Sequence, residues 1–301
     1  MRPKRRLVVV GNGMVGQHFV EALLSAGHDF DVTVLGGEPR PAYDRTRLAD
    51  FFAGRPPASF ALTGFDDFAR RGLDAWFGDP VARIDRAGRR VVTAAGRCFH
   101  YDHLVLATGA RPSVPGVRGA DLPGCHVFRS IDDLGAIRAD AAGCRRGVVV
   151  GAGLHGLQAT EALRHLGLET HLLERVPDLL APEAGPGPAE VLRRHVEAQG
   201  VNVHTRTGTT AVRAGREARL RLALHGGGML EADLLVWALG VRADDDLAQA
   251  AGLKLTAGGG VLVDRQARTS DPRILAIGDC AAIAGRAANR LAVGRRLAEA
   301  A

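Results

Sequence analysis

Apolar runs and glycines alternate along this chain in an order that is written twice. The run Leu7-Val-Val-Val10 breaks at Gly11-Asn-Gly13-Met-Val-Gly16, and Gly147-Val-Val-Val150 breaks at Gly151-Ala-Gly153-Leu-His-Gly156. An unbroken β-branched run of this kind reads as a strand covered on both faces, as parallel strands are. Each glycine cluster is followed by apolar residues at helical spacing. Phe19, Leu23 and Ala26 precede Gly27, and Ala159, Leu163 and Leu166 precede Gly167. A helix ending at glycine is predicted in both places, because glycine adopts the left-handed cap conformation at little cost.

The two copies then stay in step. A β-branched strand leads to an acid: Asp31-Val-Thr-Val-Leu35 to Glu38, and Thr170-His-Leu-Leu173 to Glu174. A short helix ends at Arg71-Gly-Leu-Asp74 in one half and at Gln199-Gly-Val-Asn202 in the other. Alternating strands follow, with Ala218, Leu220, Leu222 and Leu224 on one side and Gly226-Gly-Gly228 as a turn. Each copy closes on a buried strand running into glycine, at Leu104-Val-Leu-Ala-Thr-Gly109 and Leu234-Leu-Val-Trp-Ala-Leu-Gly240. The prediction is an α/β chain with two Rossmann-like dinucleotide-binding domains, each a βαβ unit with a β-meander.

The remaining segments are irregular or short. Pro112, Pro115 and Pro123 make residues 111–146 read as a non-helical connection, and residues 177–188 as a surface loop, with Pro188 starting a helix to Ala198. Strands are predicted at residues 261–264 and 274–278, and a last helix at residues 289–300.

Composition narrows the function classes. With 301 residues and 46% apolar content the chain can fill two ordinary cores. Its net charge of +6 comes almost wholly from arginine, since Lys4 and Lys254 are the only lysines. These arginines are interleaved with acids, which argues against a phosphate-backbone surface, so no nucleic-acid partner is expected. Cys98, Cys125, Cys144 and Cys280 form no C-x-x-C pair, so buried thiols in a reducing compartment are expected, and no metal site. The basic start Met1-Arg-Pro-Lys-Arg-Arg6 is followed by an apolar run far short of the ~7–15 residues of a secretory signal. A cytoplasmic protein with no membrane segment is the expectation.

The glycine clusters carry the chemistry. In G-x-G-x-x-G the first glycine makes a tight turn, the second admits a pyrophosphate and the third lets helix and strand touch. The helix N-terminus supplies amide donors, and an acid at the end of the next strand can hold ribose hydroxyls. A lone motif is often a plain turn; two, each after a strand, before a helix and with an acid in register, point to two dinucleotides. Gly11, Gly13, Met14, Val15, Gly16 and Glu38 are candidates in the first unit, and Gly151, Gly153, His155, Gly156 and Glu174 in the second. Two bound redox carriers need no catalytic side chain, and none is predicted. Trp76, Trp237 and Cys280 read as core residues.

These motifs, with Leu106-Ala-Thr-Gly109, Thr269-Ser-Asp-Pro272 and Ile277-Gly278-Asp279, resemble the two-dinucleotide flavoproteins of the pyridine nucleotide-disulfide oxidoreductase family. Within it, Glu38-Pro-Arg-Pro-Ala-Tyr-Asp-Arg45, Phe128-Arg-Ser-Ile-Asp-Asp-Leu134 and Leu168-Glu-Thr-His171 are similar to the N-terminal part of NADH-dependent nitrite reductase large subunits. The resemblance implies a glutathione reductase-type arrangement without that family's C-terminal interface domain. Residues 1–115 would form the first part of an FAD domain, 116–250 an NAD(P)H domain and 251–301 a return segment to the FAD domain. It implies that Gly11, Gly13, Gly16, Glu38, Arg45, Val81, Ala107, Thr108, Gly109, Arg129 and Asp279 bind FAD, with Gly278 beside Asp279. Gly151, Gly153, Gly156, Glu174 and Gly240 would bind NADH, and a helix N-terminus in residues 289–300 would face the flavin. NADPH is the alternative nucleotide, because Arg175 adjoins Glu174.

The implied activity is transfer of a hydride from NADH to FAD and of electrons to a separate acceptor protein, in nitrite or nitrate assimilation. The alternatives are a rubredoxin or ferredoxin reductase-like enzyme and a truncated, non-catalytic nucleotide-binding subunit. Two departures bear on this. No redox dithiol follows the first glycine motif, which disfavours disulfide reduction, and Gln158 stands where the family often has a glutamate near the nicotinamide.

Overall fold

The computed structural model describes residues 4–180, 186–283 and 286–287 of the chain. The helix expected at residues 289–300 lies outside the described residues. By its internal contacts the chain divides into two units. The first comprises Met1–Asp44, Phe60–Arg111 and Arg242–Ala301, and the second Arg45–Ser59 and Pro112–Val241.

The first unit is built on a five-stranded sheet in the order Ile274–Ala276, His103–Leu106, Arg5–Val10, Phe30–Gly36, Asp74–Phe77. All four pairings are parallel. Side chains alternate across a strand, and both faces of this sheet are apolar. Leu7 and Val9 point to a core with Phe19, Val20 and Leu23 of the helix Met14–Ala26. Val8 and Val10 join the opposite core with Ile84 and Val91. Those two residues belong to the antiparallel meander Val81–Asp85, Arg90–Thr93, Cys98–His100.

The second unit repeats this plan. Its five-stranded parallel sheet runs Cys125–Val127, Leu234–Trp237, Arg146–Val150, Glu169–Leu173, Asn202–His204. The helix Leu154–His165 buries Ala159 and Leu163. The meander Thr209–Ala214, Leu220–Leu224, Met229–Ala232 packs Val212, Leu220 and Leu222 against Val148, Val150 and Trp237.

The two sheets differ in the source of the outermost strand beside the closing strand. In the first unit it is Ile274–Ala276, from late in the chain; in the second it is Cys125–Val127, from before the repeat begins. Residues 111–146 are therefore not a plain connection. They supply that strand and the helix Ile131–Asp140, which a local signal starts: Ser130 Oγ accepts the Asp133 N–H at 3.2 Å and Asp133 accepts the Ser130 N–H at 2.8 Å. The prolines sit before the strand and leave this capping box intact.

The unit boundaries also differ from those read along the sequence. The helix Asp246–Ala250 packs on the strand Val81–Asp85, burying Ala248 in the first unit's core, so residues 242–250 belong there. The segment Arg45–Ser59 belongs to the second unit because its aromatic residues anchor it. Phe51 meets Phe52 edge to face at 5.2 Å, Phe52 stacks on Phe128 at 6.4 Å, and the Arg138 guanidinium lies 3.8 Å from the Phe51 ring centroid. Trp76 is 38% exposed rather than core, since its strand is the sheet edge; its indole meets Phe99 at 5.7 Å. Trp237 and Cys280 are buried as expected, but the other thiols are not: Cys98 is exposed on the last strand of the first meander, and Cys125 and Cys144 are half-buried.

Candidate functional site

A dinucleotide cradle stands at the carboxyl end of the first strand in each unit, beside the closing strand, where the order of the sheet reverses. Such switch points form the crevices of open α/β sheets. In the first unit Gly11 has φ +107°, and a β-carbon there would stand 2.1 Å from the Ala107 carbonyl oxygen. A β-carbon on Gly16 would stand 2.2 Å from the Gly11 oxygen. Both positions thus exclude any side chain. At Gly13 a β-carbon would meet nothing within 4 Å. The second unit has the same arrangement: Gly151 at φ +106°, 2.5 Å from the Ala238 oxygen, Gly156 at 1.8 Å from the Gly151 oxygen, and Gly153 facing open space.

The backbone ties match as well. The Gly11 N–H donates to Leu35 O and the Gly151 N–H to Leu173 O, each at 2.8 Å. The Ala107 N–H donates to Val10 O at 2.7 Å and the Ala238 N–H to Val150 O at 2.8 Å. Neither following helix has a side-chain N-cap bond or an acid in its first turn. Their first-turn N–H groups are therefore left to an anionic ligand by their own sequence, where a positive helix end also favours it. The side-chain amide of Asn12, between the first two glycines, is buried with no hydrogen-bond partner at either atom. Two glycines that exclude side chains, one that opens outward, uncapped amides and an orphaned amide fit a dinucleotide pyrophosphate.

Around the first cradle the structure assembles Met14 and Val15 on the opening turn of the helix, with Thr108 and Gly109 after the closing strand. Thr108 Oγ1 donates to the Asp244 carbonyl at 2.6 Å, and the Asp244 N–H to Gly109 O at 2.9 Å. Gly278, at φ +75°, leaves room for Val15, since a β-carbon there would stand 3.1 Å from a Val15 methyl. This brings the half-buried Asp279 of the return segment beside the helix start. Glu38 ends the turn after the second strand, where its carboxylate accepts the Tyr43 hydroxyl at 2.8 Å and lies 3.6 Å from Arg40. Val81 opens the meander, half-buried. Arg45 and Arg129 are brought together in the second unit, where Arg45 Nη1 donates to the Arg129 carbonyl at 2.8 Å.

The second cradle opens into a cavity of about 650 Å³ lined by Gly151, Gly153, Glu174, Arg175, Asp178, Thr209, His225 and Gly240 among others. That size suits a nucleotide. Glu174 is held in place from both sides: Oε2 accepts the Ala152 N–H at 2.7 Å and Oε1 the Val176 N–H at 3.0 Å. Each oxygen keeps a lone pair for a further donor. Gly240, at φ +81°, faces open space. His155 sits on the first helical turn, its Nδ1 3.2 Å from Gln158 Oε1, while Gln158 Nε2 donates to Thr46 O at 3.1 Å. A glutamate at 158 would lack that donor.

Asn12, Ala152 and the cavity residues Thr207, Gly208, Thr209 and His225 are not among the residues that the motifs predict. Asn12 and Ala152 lie inside the glycine motifs and could have been marked by position. The other four come from the start of the second meander and the turn after its middle strand, and nothing in their spacing announces a nucleotide. Among the described residues no helix is long and apolar enough to cross a membrane.

Comparison with known proteins agrees with this geometry. The chain is 46% identical over 277 residues to the "Nitrite reductase [NAD(P)H] large subunit" of Klebsiella oxytoca, covering 91% of this chain and 29% of that protein. It is 32% identical over 280 residues to the "Assimilatory nitrate reductase electron transfer subunit" of Bacillus subtilis (strain 168), covering 92% and 36%. The chain thus spans about a third of the length of these curated relatives. A crystal structure of a ferredoxin reductase from Rhodopseudomonas palustris superposes with a TM-score of 0.89 at 29% identity, covering 98% of this chain and 76% of that one. The family model described as "Pyridine nucleotide-disulphide oxidoreductase" matches residues 5–301, and with both cradles in place the chain belongs to that family.

Proposed function

We propose that this chain is the FAD- and NADH-binding part of an oxidoreductase that hands electrons to a separate acceptor, of the kind that serves nitrite or nitrate assimilation in the cytoplasm. The observation that carries the reading is the duplication of one cradle, glycine for glycine, with an acid at the matching strand end of each unit. When bound, the two cofactors supply the chemistry, a two-electron hydride transfer from the nicotinamide to the flavin. The protein's part is to bind and orient. Gly11, Gly13 and Gly16 with the first-turn amides of their helix would hold the FAD pyrophosphate, and Glu38 its adenosine ribose. Met14, Val15, Arg45, Val81, Ala107, Thr108, Gly109, Arg129, Gly278 and Asp279 are the further residues of the FAD site in this reading. Gly151, Gly153 and Gly156 would hold the NADH pyrophosphate, with His155 and Gly240 alongside. The carboxylate of Glu174 would accept the ribose hydroxyls and repel a 2′-phosphate, which favours NADH.

The relatives' names supply the acceptor class: a nitrite reductase module or a nitrate reductase partner. A second reading, a ferredoxin reductase-like enzyme, is favoured by the much larger share of the Rhodopseudomonas palustris protein that this chain covers. The test is anaerobic titration of the FAD-reconstituted chain with NADH, then addition of acceptors. Loss of the flavin's visible absorbance, restored by a nitrite reductase module, is expected. Restoration by a ferredoxin instead selects the second reading. A chain that takes up no FAD, or whose flavin NADH leaves oxidised, refutes both.

A further inference from the structure

The loop that closes the first cradle is held at its far end by a distant turn. Its start is pinned by the sheet: the Ala107 N–H donates to Val10 O at 2.7 Å, and the Ile277 N–H to Leu106 O at 2.9 Å. Its end is pinned by residue 244, since Thr108 Oγ1 donates to the Asp244 carbonyl at 2.6 Å and the Asp244 N–H to Gly109 O at 2.9 Å. Gly109 has φ +76°, and a β-carbon there would meet nothing within 4 Å, so these bonds rather than side-chain packing fix its place. The turn reads Asp244-Asp245-Asp246, three acids in a row. Asp245 is buried and its Oδ2 accepts the Gly260 N–H at 2.5 Å. Two residues past Gly109, Arg111 reaches back to the other two: Nη2 lies 2.8 Å from Asp244 Oδ1, and Nη1 donates to Asp246 Oδ2 at 2.6 Å. All of these residues belong to the first unit, except that Val10 and Ile277 lie in it as strand neighbours of the same sheet.

We propose that Arg111 is a positioning residue for the FAD site: by bridging Asp244 and Asp246 it holds the turn that keeps Thr108 and Gly109 in place at the first cradle. This rests on reading the first cradle as the FAD site. The contacts close a ring, because Gly109 leads through Ala110 to Arg111, Arg111 grips Asp244, and Asp244 bonds back to Thr108 and Gly109. One planar guanidinium spans two carboxylates, which a lysine ammonium cannot do with the same geometry. Neighbouring carboxylates repel one another, so removing Arg111 loosens the turn and with it the two bonds to the loop. Arg242 lies 3.6 Å from Asp246 and offsets part of that repulsion. The Arg111 side chain is about half-exposed, so salt screens the latch, and the grip on the loop weakens as ionic strength rises.

The experiment measures the FAD dissociation constant of the full chain by quenching of flavin fluorescence, at about 50 mM and about 500 mM salt. The proteins are wild type, Arg111→Met, Arg111→Lys, Asp244→Asn and the double variant Arg111→Met/Asp244→Asn. Arg111→Met is expected to raise the constant about three- to tenfold at low salt, the scale of one or two half-exposed ion pairs. The rise should shrink at high salt, where the wild-type latch is itself screened. Arg111→Lys should recover part of the loss, because it restores the charge without the fork. The double variant should lose less than the two single losses combined, since they break the same pair. NADH affinity, read by calorimetry, should stay at the wild-type value throughout. A wild-type chain that binds FAD while Arg111→Met binds it equally well, or loses the same factor at both salt concentrations and loses NADH affinity with it, overturns the role of Arg111 alone. If Arg111→Met does not fold, wild-type FAD affinity in both Arg111→Lys and Asp244→Asn overturns it as well. A wild-type chain that takes up no FAD overturns this role and the proposed function together.

Discussion

Gly156 lies so close to Gly151 that a β-carbon on it would stand 1.8 Å from the Gly151 carbonyl oxygen, while Gly153 between them faces open space. The same contrast holds for Gly16 and Gly13 in the first unit. The three glycines of each motif therefore do different work, and substitution separates it.

Gly16→Ala and Gly156→Ala press a methyl group into a backbone carbonyl that belongs to the strand end. Each is expected to destabilise its unit by about 2–3 kcal/mol, read as a lower urea midpoint, because neither helix nor strand can move without breaking the parallel sheet. Gly13→Ala and Gly153→Ala should unfold within about 0.5 kcal/mol of wild type. Their cofactor affinity should still fall at least about tenfold, since the methyl group occupies the pyrophosphate's approach. Equal stability losses in all four variants would contradict the division of labour.

Glu174→Ala removes the acceptor of the Ala152 N–H, a buried residue, and of the Val176 N–H. A stability loss of about 1–2 kcal/mol is expected from the unpaired donors. Thermal unfolding measures it, and calorimetry should show NADH binding weakened at least about tenfold, because the ribose loses its charged acceptor.

Arg86 joins distant parts of the first unit: it donates to Asp271 at 2.9 Å and to the carbonyls of Ala251 and Gly252 at 3.3 Å each. Burial alone would raise the Asp271 carboxyl, but the Arg86 hydrogen bond, the Arg273 N–H and the nearby guanidinium charges outweigh it and hold the group below the usual aspartate value. That contribution to stability is present above pH ~4 and is lost as pH falls through the folded-state value. Arg86→Met is expected to cost about 2–3 kcal/mol at neutral pH, leaving a partly buried carboxylate unpaired. Urea titrations at neutral pH and near pH ~3, below the unfolded aspartate value, should show the difference from wild type narrowing on acidification.

His171 and His204 stack at 5.3 Å with Nδ1 of the first 3.0 Å from Nε2 of the second, and His171 Nε2 lies 3.1 Å from Glu169. Burial, and then the neighbouring His171, push the His204 imidazole below its ordinary value. Burial also lowers His103, in the other unit. For such groups the unfolded chain takes up protons that the folded one resists. Stability is full above pH ~6.5 and declines as pH falls toward the folded-state values. Urea midpoints should drop between pH 7 and pH 5, and less steeply in His204→Gln. An unchanged slope in that variant would assign the pH dependence elsewhere.

Much of this architecture is visible in single stretches of sequence. The runs at Leu7 and Leu234, the helix stops at Gly27 and Gly167 and the acids Glu38 and Glu174 are local signals whose periods survive folding. Trp76 was misplaced because an aromatic residue in an apolar strand does not say whether that strand is central or at the edge. The helix Ile131–Asp140 was obscured by prolines upstream of it, although Ser130 and Asp133 spell its start.

What the sequence determined by itself is the repeated unit: strand, glycine cradle, helix and acid, each specified by contacts between residues near one another in the chain. The tertiary structure alone decided which distant segment fills the outer place of each sheet, Ile274–Ala276 or Cys125–Val127. It also decided that Phe51 and Phe52 carry residues 45–59 into the second unit, and that Arg175, Gly208 and His225 meet at one corner of a cavity. Pairing across a long loop costs chain entropy that only the assembled core repays, and that balance leaves no periodic trace along the chain.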